Sequence, residues 1–520
     1  MSQDESTAGE NLATSEEFVG GTRWGHPKGL SYLFFAELWE RFSFYGMRAL
    51  LTLYMVNEVF EALANRDAVS AIIYSSYGSL VYASPVIGGR IADKLLGYRR
   101  SIMLGGALMA IGHFVLAIEN NITFYLALAF IIVGNGFFKP NISTFVGSLY
   151  KPGDNRKDSG FTIFYMGINI GAFVSPLLCG WLGENYGWHY GFGLAGIGMV
   201  AGLVVFWRGS KAGVFGDKGL PPTPEIIEKK KFGLPIKTLV PVISFLAVPV
   251  IAWLLSSYEY LLDGESFLGE VTIVNVLFYL IGISILLYLA YYIAMKAKKE
   301  ERGKMVVAVL LTFFMTIFWG FHELSGSVLT LFASRNVDLS VLNASQTNSL
   351  NPVFIFLLAI PFSWIWIKLD QQKLNPRTPI KFALGLILLG IGFYVLALSR
   401  GSADGDGMVP MYYLVIMYVI ISMGELCMSP VGLSKITDLS PVAIVAFMMG
   451  VWFLSSAYAF QIVGFIGKNL AIDGTESIGG LERLTIYTDG FEYISYFALG
   501  SGLFVLLISP LMRRWMRDVH

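Results

Sequence analysis

Residues 33–54 read LFFAELWERFSFYGMRALLTLY, an apolar stretch long enough to cross a bilayer that nevertheless carries Glu37, Glu40, Arg41 and Arg48. A charge at mid-bilayer costs roughly 2.5–3.5 kcal/mol on insertion scales, so four of them in one span need partners, water or a function. At about 100° per residue, Glu37, Arg41, Phe44 and Arg48 form one stripe, with Glu40 and Tyr45 on its flanks. That stripe is expected to face a protein interior or a wet cavity. Leu38, Trp39, Met47 and Leu50 are left for lipid or packing. Glu37 and Arg41 also stand at i,i+4, where they can partly neutralise each other. A cluster that only ties helices together explains the charges less well than a functional site, because ionisable groups inside membranes mark pathways and relays.

Composition extends the reading to the whole chain. Of 520 residues 55% are hydrophobic and only 14% charged. Apolar runs of span length recur near 30–56, 70–92, 100–118, 122–147, 160–183, 190–208, 236–256, 270–296, 305–333, 347–368, 378–399, 411–435, 444–468 and 490–512. The expectation is an all-α membrane protein with fourteen transmembrane helices. Residues 1–26 are polar and acidic, without the basic and apolar segments of a signal peptide, and are read as a flexible cytoplasmic tail. Cys179 and Cys427 each sit in an apolar span, with no disulfide framework and no metal-ligand spacing.

Loop charges orient the chain. Lys94, Arg99 and Arg100, then Lys151, Arg156 and Lys157, Lys229 to Lys231, Lys298 to Lys304, Lys373 and Arg377, and finally Arg513, Arg514 and Arg517 fall on one side. The alternate loops are acidic, with Glu58, Glu61 and Asp67, Glu184, Glu259 to Glu270, Asp404 and Asp406, and Glu476 to Asp489. An excess of Lys and Arg marks the cytoplasmic side, so both termini are expected there, in the inner membrane. The organisation that follows is a six-helix bundle over 27–208, a cytoplasmic linker over 209–235, an inserted hairpin over 236–296, a second six-helix bundle over 305–512, and a tail over 513–520. The linker holds Pro221, Pro222 and Pro224 ahead of a lysine run that is expected to lie as a short helix on the membrane surface. Six, an inserted two, and six point to the major facilitator architecture, two bundles with a substrate site between them. Residues 88–100, GGRIADKLLGYRR, look like that superfamily's cytoplasmic loop motif; the glycines permit a tight turn and close helix approach, and Asp93 and the two arginines can pair across the bundle.

Other spans carry residues that lipid would reject. Lys139 lies in GNGFFKPNIS, Asn169 in FTIFYMGINIGAF, Glu323 after His322 in FWGFHELSG, Asn351 before Pro352, and Glu425 in GELCMSPVGLS. Trp452, Ser455 and Ser456 share one span, and Tyr74, Tyr77 and Tyr82 another. A buried lysine needs a carboxylate, and Glu37 or Glu40 is the natural partner of Lys139. Glu323 and Glu425 have no Lys or Arg nearby in sequence, so each is expected to pair with the other bundle or to be protonated. Asn169 reads equally well as helix–helix glue, the tyrosines and Trp452 as packing, and His113 as structural. Pro140, Pro352 and Pro430 each offer a kink beside these polar groups. Gly191, Gly193 and Gly196 spell G-x-G-x-x-G with no strand before them, which is small-residue packing and not a dinucleotide site. No Walker sequence, no Ser-His-Asp set and no His-Glu-x-x-His pattern appears, so neither an ATP-driven pump nor an enzyme is indicated, and nothing points to nucleic acid.

Three of these stretches together resemble a known family. ELWERFSFYGMR is similar to the first-helix signature E-x-x-E-R-F-x-Y-Y of the proton-dependent oligopeptide transporters, FTIFYMGINIGAFVSP to their fifth-helix signature and GELCMSPVGLS to their tenth. The likeness runs from about residue 27 onward, and the hairpin at 236–296 is similar to that of bacterial members. Two departures stand out: Phe44 replaces the first Tyr of the signature, and Ile72, Ile73 and Tyr74 leave no second-span histidine. The resemblance implies a proton-coupled symporter importing di- and tripeptides, with protons as coupling ion and no other cofactor. Peptide and membrane lipid would be its partners, with no obligatory protein partner. By the same resemblance Arg48 and Lys139 would hold the peptide carboxylate, Glu425 its amino terminus, and Asn169 and Asn351 its backbone. Tyr45, Tyr77 and Trp452 would line side-chain pockets, with Ser456 included in the peptide-binding set. Glu37, Glu40 and Arg41 would form an ion-pair network with Lys139, and Glu323 a proton-responsive switch that pairs with Arg48. Such a bipolar cavity suits a zwitterion of fixed ends and variable side chains. A nitrate or drug carrier would share the fold, but nitrate needs only the positive pole, which leaves Glu425 unexplained, and a membrane receptor leaves titratable groups in both bundles unexplained.

Overall fold

The computed structural model describes residues 21–151, 153–259, 271–472 and 478–516. Residues 1–20 of the expected tail, the loop acids Asp263, Glu265, Glu270 and Glu476, Arg517 and the Pro430 side chain lie outside them. In chain order the helices are α1 Lys28–Tyr54, α2 Arg66–Ala83, α3 Pro85–Ile91, α4 Gly97–Leu116, α5 Asn121–Ser148, α6 Arg156–Ser175, α7 Trp181–Tyr186 and α8 Trp188–Lys211. There follow α9 Ile236–Ser256, α10 Ile273–Met295, α11 Lys299–His322, α12 Val328–Asn336, α13 Leu350–Gln371, α14 Thr378–Leu398, α15 Tyr412–Leu439, α16 Val445–Asn469 and α17 Gly480–Met516. Among the described residues, ten helical stretches are long and apolar enough to cross a membrane. The four remaining expected spans are helical as well, in α1, α2 with α3, α4, and α15. Helices satisfy most of their backbone polar groups internally, as hydrocarbon requires.

The helices form two compact units, residues 1–48 with 83–253 and residues 49–82 with 254–520. In the first, α4 packs on α5 and α8, and α3 on α5. The loop motif explains part of this closeness. A Cβ on Gly88 would stand 1.9 Å from the Gly136 carbonyl oxygen, and Gly97 turns at φ +73° where a Cβ would meet the Leu220 backbone at 2.5 Å. Arg99 does not seek an acid across the bundle: its Nε donates to the Lys218 carbonyl at 2.7 Å, and its guanidinium also bonds the Gly216 carbonyl. Residues 21–26 are tied down. Thr22–Arg23 and His26–Pro27 make a small hairpin, and buried His26 bonds the Tyr150 hydroxyl at 2.9 Å and the Ser159 hydroxyl at 3.2 Å. Burial, reinforced by Arg156, lowers the His26 pKa, and burial pushes the Tyr150 phenol up to about 12. The lysine run of the linker is not a surface helix. A 3₁₀ turn at Pro224–Ile227 leads into a hairpin of Lys230–Lys231 with Leu234–Pro235, because Phe232 and Gly233 both take positive φ and reverse the chain in two residues.

In the second unit α14 packs on α15 and α17, α11 on α16, and α13 on α15. The span expected as one piece over 305–333 is broken: α11 ends at His322, a 3₁₀ turn runs over Glu323–Gly326, and α12 restarts at Val328. Side chains take up the loosened carbonyls, Thr52 donating to Gly326 at 2.7 Å and Thr330 to Ser325 at 2.7 Å. Pro352 does not kink mid-span; it lies in the first turn of α13, where its missing N–H has no helical partner to lose. Pro140 does sit inside α5. The G-x-G-x-x-G glycines lie within α8; Gly196 packs on the Phe114 ring, whereas a Cβ on Gly193 would meet open space. Both cysteines are buried free thiols.

Candidate functional site

Within the first unit the charged stripe of α1 meets α5. Glu37 and Glu40 are fully buried and Arg41 nearly so. Lys139 Nζ donates to Glu37 Oε1 at 2.8 Å, as the sequence led one to expect of a buried lysine. Arg41 makes the expected i,i+4 ion pair with Glu37 and adds a second, closer carboxylate partner. Its fork bonds both oxygens of Glu40 at 2.5 Å, while its Nε is 3.6 Å from Glu37. A planar guanidinium matches two carboxylate oxygens better than one, which favours the closer pair with Glu40. Two acids thus balance Arg41 and Lys139, and Arg48, itself buried, adds a further positive charge on the same helix. Aromatic faces help hold the cations: Arg41 stands 5.0 Å from the Phe44 ring centroid, and Arg48 5.8 Å from that of Tyr45. Phe44 thus keeps a ring beside Arg41 and brings no hydroxyl to it. Glu37 Oε2 is buried with no hydrogen bond among the described residues. Asn169, half-buried on α6, donates its amide to the Tyr165 carbonyl of its own helix at 3.0 Å.

Within the second unit the polar centre is Glu425 on α15. Asn351 at the start of α13 donates to Glu425 Oε2 at 3.1 Å and to the Ser422 hydroxyl at 3.0 Å. His322 Nε2 lies 3.3 Å from the same carboxylate oxygen. Neither Lys nor Arg pairs with Glu425 among the described residues. The expected alternatives were a partner in the other bundle or a proton; the neighbours found are a histidine and an amide of its own unit. Glu323 is buried in the 3₁₀ turn next to His322. Trp452 on α16 is buried with its ring against Gly432, and Ser456 is half-buried one turn along. Tyr77 is buried on α2, which packs on α16 through Ser75 and Ser79, bonded to the Phe460 and Ala457 carbonyls. Tyr74 and Tyr82 pack on the Phe460 ring, as expected of packing residues.

A model described as the POT family matches residues 99–479. Over 521 residues the chain is 36% identical to the peptide transporter YePEPT of Yersinia enterocolitica subsp. palearctica serotype O:3 (strain YE-P4), covering 96% of this chain and 98% of that one. A di-/tripeptide transporter of Lactococcus lactis subsp. cremoris is 35% identical over 465 residues, 86% of this chain and 90% of its own. The chain belongs to the POT family. The fold agrees: a crystal structure of the peptide transporter POT in complex with sulfate superposes with a TM-score of 0.80 at 37% identity, over 98% of this chain and 99% of that one. The three POT signatures fall on α1, on α6 running into a π-helical turn at Pro176–Gly180, and on α15.

Two groups escaped the sequence reading of this POT protein. His322 passed as a neighbour of Glu323, although a histidine inside an apolar span is a signal in its own right. Asp67 was counted as a loop acid. It is buried at the start of α2, where Arg335 grips both its oxygens at 2.5 and 2.8 Å, the Tyr487 hydroxyl bonds Arg335 at 2.9 Å, and the Ile472 N–H donates to Asp67 at 3.3 Å. Arg335 and Arg400 are cations on the side read as acidic. Arg335 is neutralised by Asp67, and Arg400 lies 3.1 Å from Asp489.

Proposed function

We propose that this protein is a proton-coupled symporter that imports di- and tripeptides by alternating access across the inner membrane, with both termini cytoplasmic. Membership in the POT family and likeness to transporters named for peptides support this reading. The observation that carries it within the chain is Glu425: a carboxylate inside a membrane helix, positioned by Asn351 and unpaired by Lys or Arg among the described residues, is a receptor for a primary ammonium. Arg48 and Lys139 take the peptide carboxylate. Asn169 and Asn351 bond its backbone, and Tyr45, Tyr77, Trp452 and Ser456 meet its side chains. Glu323 carries the coupling proton, and the network of Glu37, Glu40, Arg41 and Lys139 responds to it. One positive charge moving inward adds about 2.3 kcal/mol per 100 mV, roughly a fortyfold accumulation.

The test is labelled dialanine uptake by the purified protein in liposomes, inside negative and outside acidic, with and without a protonophore. The expected result is accumulation that collapses with the protonophore. Failure to take up dialanine in vesicles that pass an orientation and integrity check overturns peptide transport. Accumulation indifferent to the protonophore overturns proton coupling and Glu323 with it.

A further inference from the structure

At the end of α9 where the lysine run lies, the first unit holds a cleft of about 620 Å³ that no protein side chain fills. Its walls are Ile91 and Leu95 on one side, Ile226 of the linker, and Leu239 and Ile243 of α9 on the other. Beneath them Leu96, Val133, Phe137, Ile236 and Val240 form a closed core, so the cleft is a groove on a firm floor. Its mouth is rimmed by Lys229, Lys230 and Lys231, all exposed. No carboxylate pairs with these three among the described residues. The nearby Glu228 is taken by Lys237 at 2.6 Å, which leaves the rim positive. Pocket size falls in the range that holds a small molecule or part of a lipid.

Position points to the kind of ligand. α9 is one of the helices apolar enough to span, and most of its surface faces outward, so its first turn marks the boundary between hydrocarbon and water. Beside it the hairpin tip holds Phe232 at φ +51° with 84% of its surface exposed. An L-residue in the left-handed region is disfavoured, and here it presents an exposed aromatic ring, with Lys231 Nζ 5.7 Å from its centroid, of the kind that anchors to membranes at headgroup level. Lysines at the mouth suit a phosphate, and the apolar walls suit an acyl chain. We propose that this groove binds one anionic phospholipid of the leaflet on the basic-loop side, its headgroup on Lys229–Lys231 and a chain between Ile91, Leu95 and Ile243. The site is separate from the peptide-binding residues, and the leaflet named rests on the orientation proposed above.

Native mass spectrometry of the full-length protein in mild detergent, titrated with phosphatidylglycerol and with phosphatidylcholine of the same chains, tests this. The wild type should retain phosphatidylglycerol in preference. K229Q/K230Q/K231Q should lose that preference by about tenfold or more. Ile243→Trp, placed at an exposed wall position, should weaken binding of either lipid by filling the groove, and glycerol phosphate without chains should not compete. Both variants should still transport dialanine in phosphatidylcholine vesicles if the parent does, which keeps a folding defect apart from a lost site. Equal retention of the two lipids by the wild type, or a preference that survives the triple substitution, overturns the proposal. Loss in the triple variant with full binding in Ile243→Trp reduces the groove to diffuse surface charge and overturns it too.

Discussion

Glu425 and Glu37 are both carboxylates inside membrane helices, and their neighbours give them opposite work. Glu37 is answered by Lys139 at 2.8 Å and belongs to a nearly neutral cluster. Glu425 has, among the described residues, the Asn351 amide at 3.1 Å and the His322 ring at 3.3 Å, and under the function proposed above a ligand ammonium completes it. Hydrogen bonds to charged groups contribute about 1.5–3 kcal/mol, so Glu425→Gln should raise the KM for dialanine roughly 10- to 150-fold and abolish discrimination against N-acetylated peptide. Uptake kinetics on the two peptides check this; unchanged discrimination moves the amino-terminus site elsewhere. Neither nitrogen of His322 is hydrogen-bonded among the described residues, and Phe318 and Trp319 flank the ring.

Elements are held in place by contacts that no local pattern announces. α2 joins the second unit through serine hydroxyls on α16 carbonyls and through Asp67, whose partner Arg335 is 268 residues away. Both groups of that pair are buried, so removing one strands the other. Asp67→Asn is expected to cost about 3–5 kcal/mol and to lower the Tm of the purified protein accordingly. The double variant Asp67→Asn with Arg335→Gln should lose less than the two single changes added, which a thermal-shift cycle measures. Additivity would mean the pair contributes nothing of its own. The break at Glu323–Gly326 belongs to the same scale. Helix periodicity runs smoothly through FWGFHELSG, and the turn is visible only once Thr52 and Thr330 are seen taking its carbonyls.

For the whole molecule, the alternation of basic and acidic loops makes a direct claim. Tags fused to either terminus should resist protease added to intact cells and be cut in inverted vesicles; cleavage from outside at either end overturns the orientation. Arg335 and Arg400, on the side read as acidic, each pair with an aspartate, Asp67 at 2.5 Å and Asp489 at 3.1 Å. The spans themselves were legible in the sequence. A bilayer obliges each helix to satisfy its own backbone, so length and hydropathy, both local quantities, are enough to find it. The charged residues were legible for a related reason: a Glu or Lys among apolar neighbours is conspicuous wherever its partner lies. Partner choice was not legible. That Arg41 adds Glu40 as its closer partner beside Glu37, that Glu425 meets His322 and Asn351, that Asp67 meets Arg335, and that the lysine run folds into a hairpin beside an open groove were decided by tertiary structure. These outcomes depend on distances between side chains far apart along the chain or on the detailed reach of a rotamer, and neither is a function of sequence spacing.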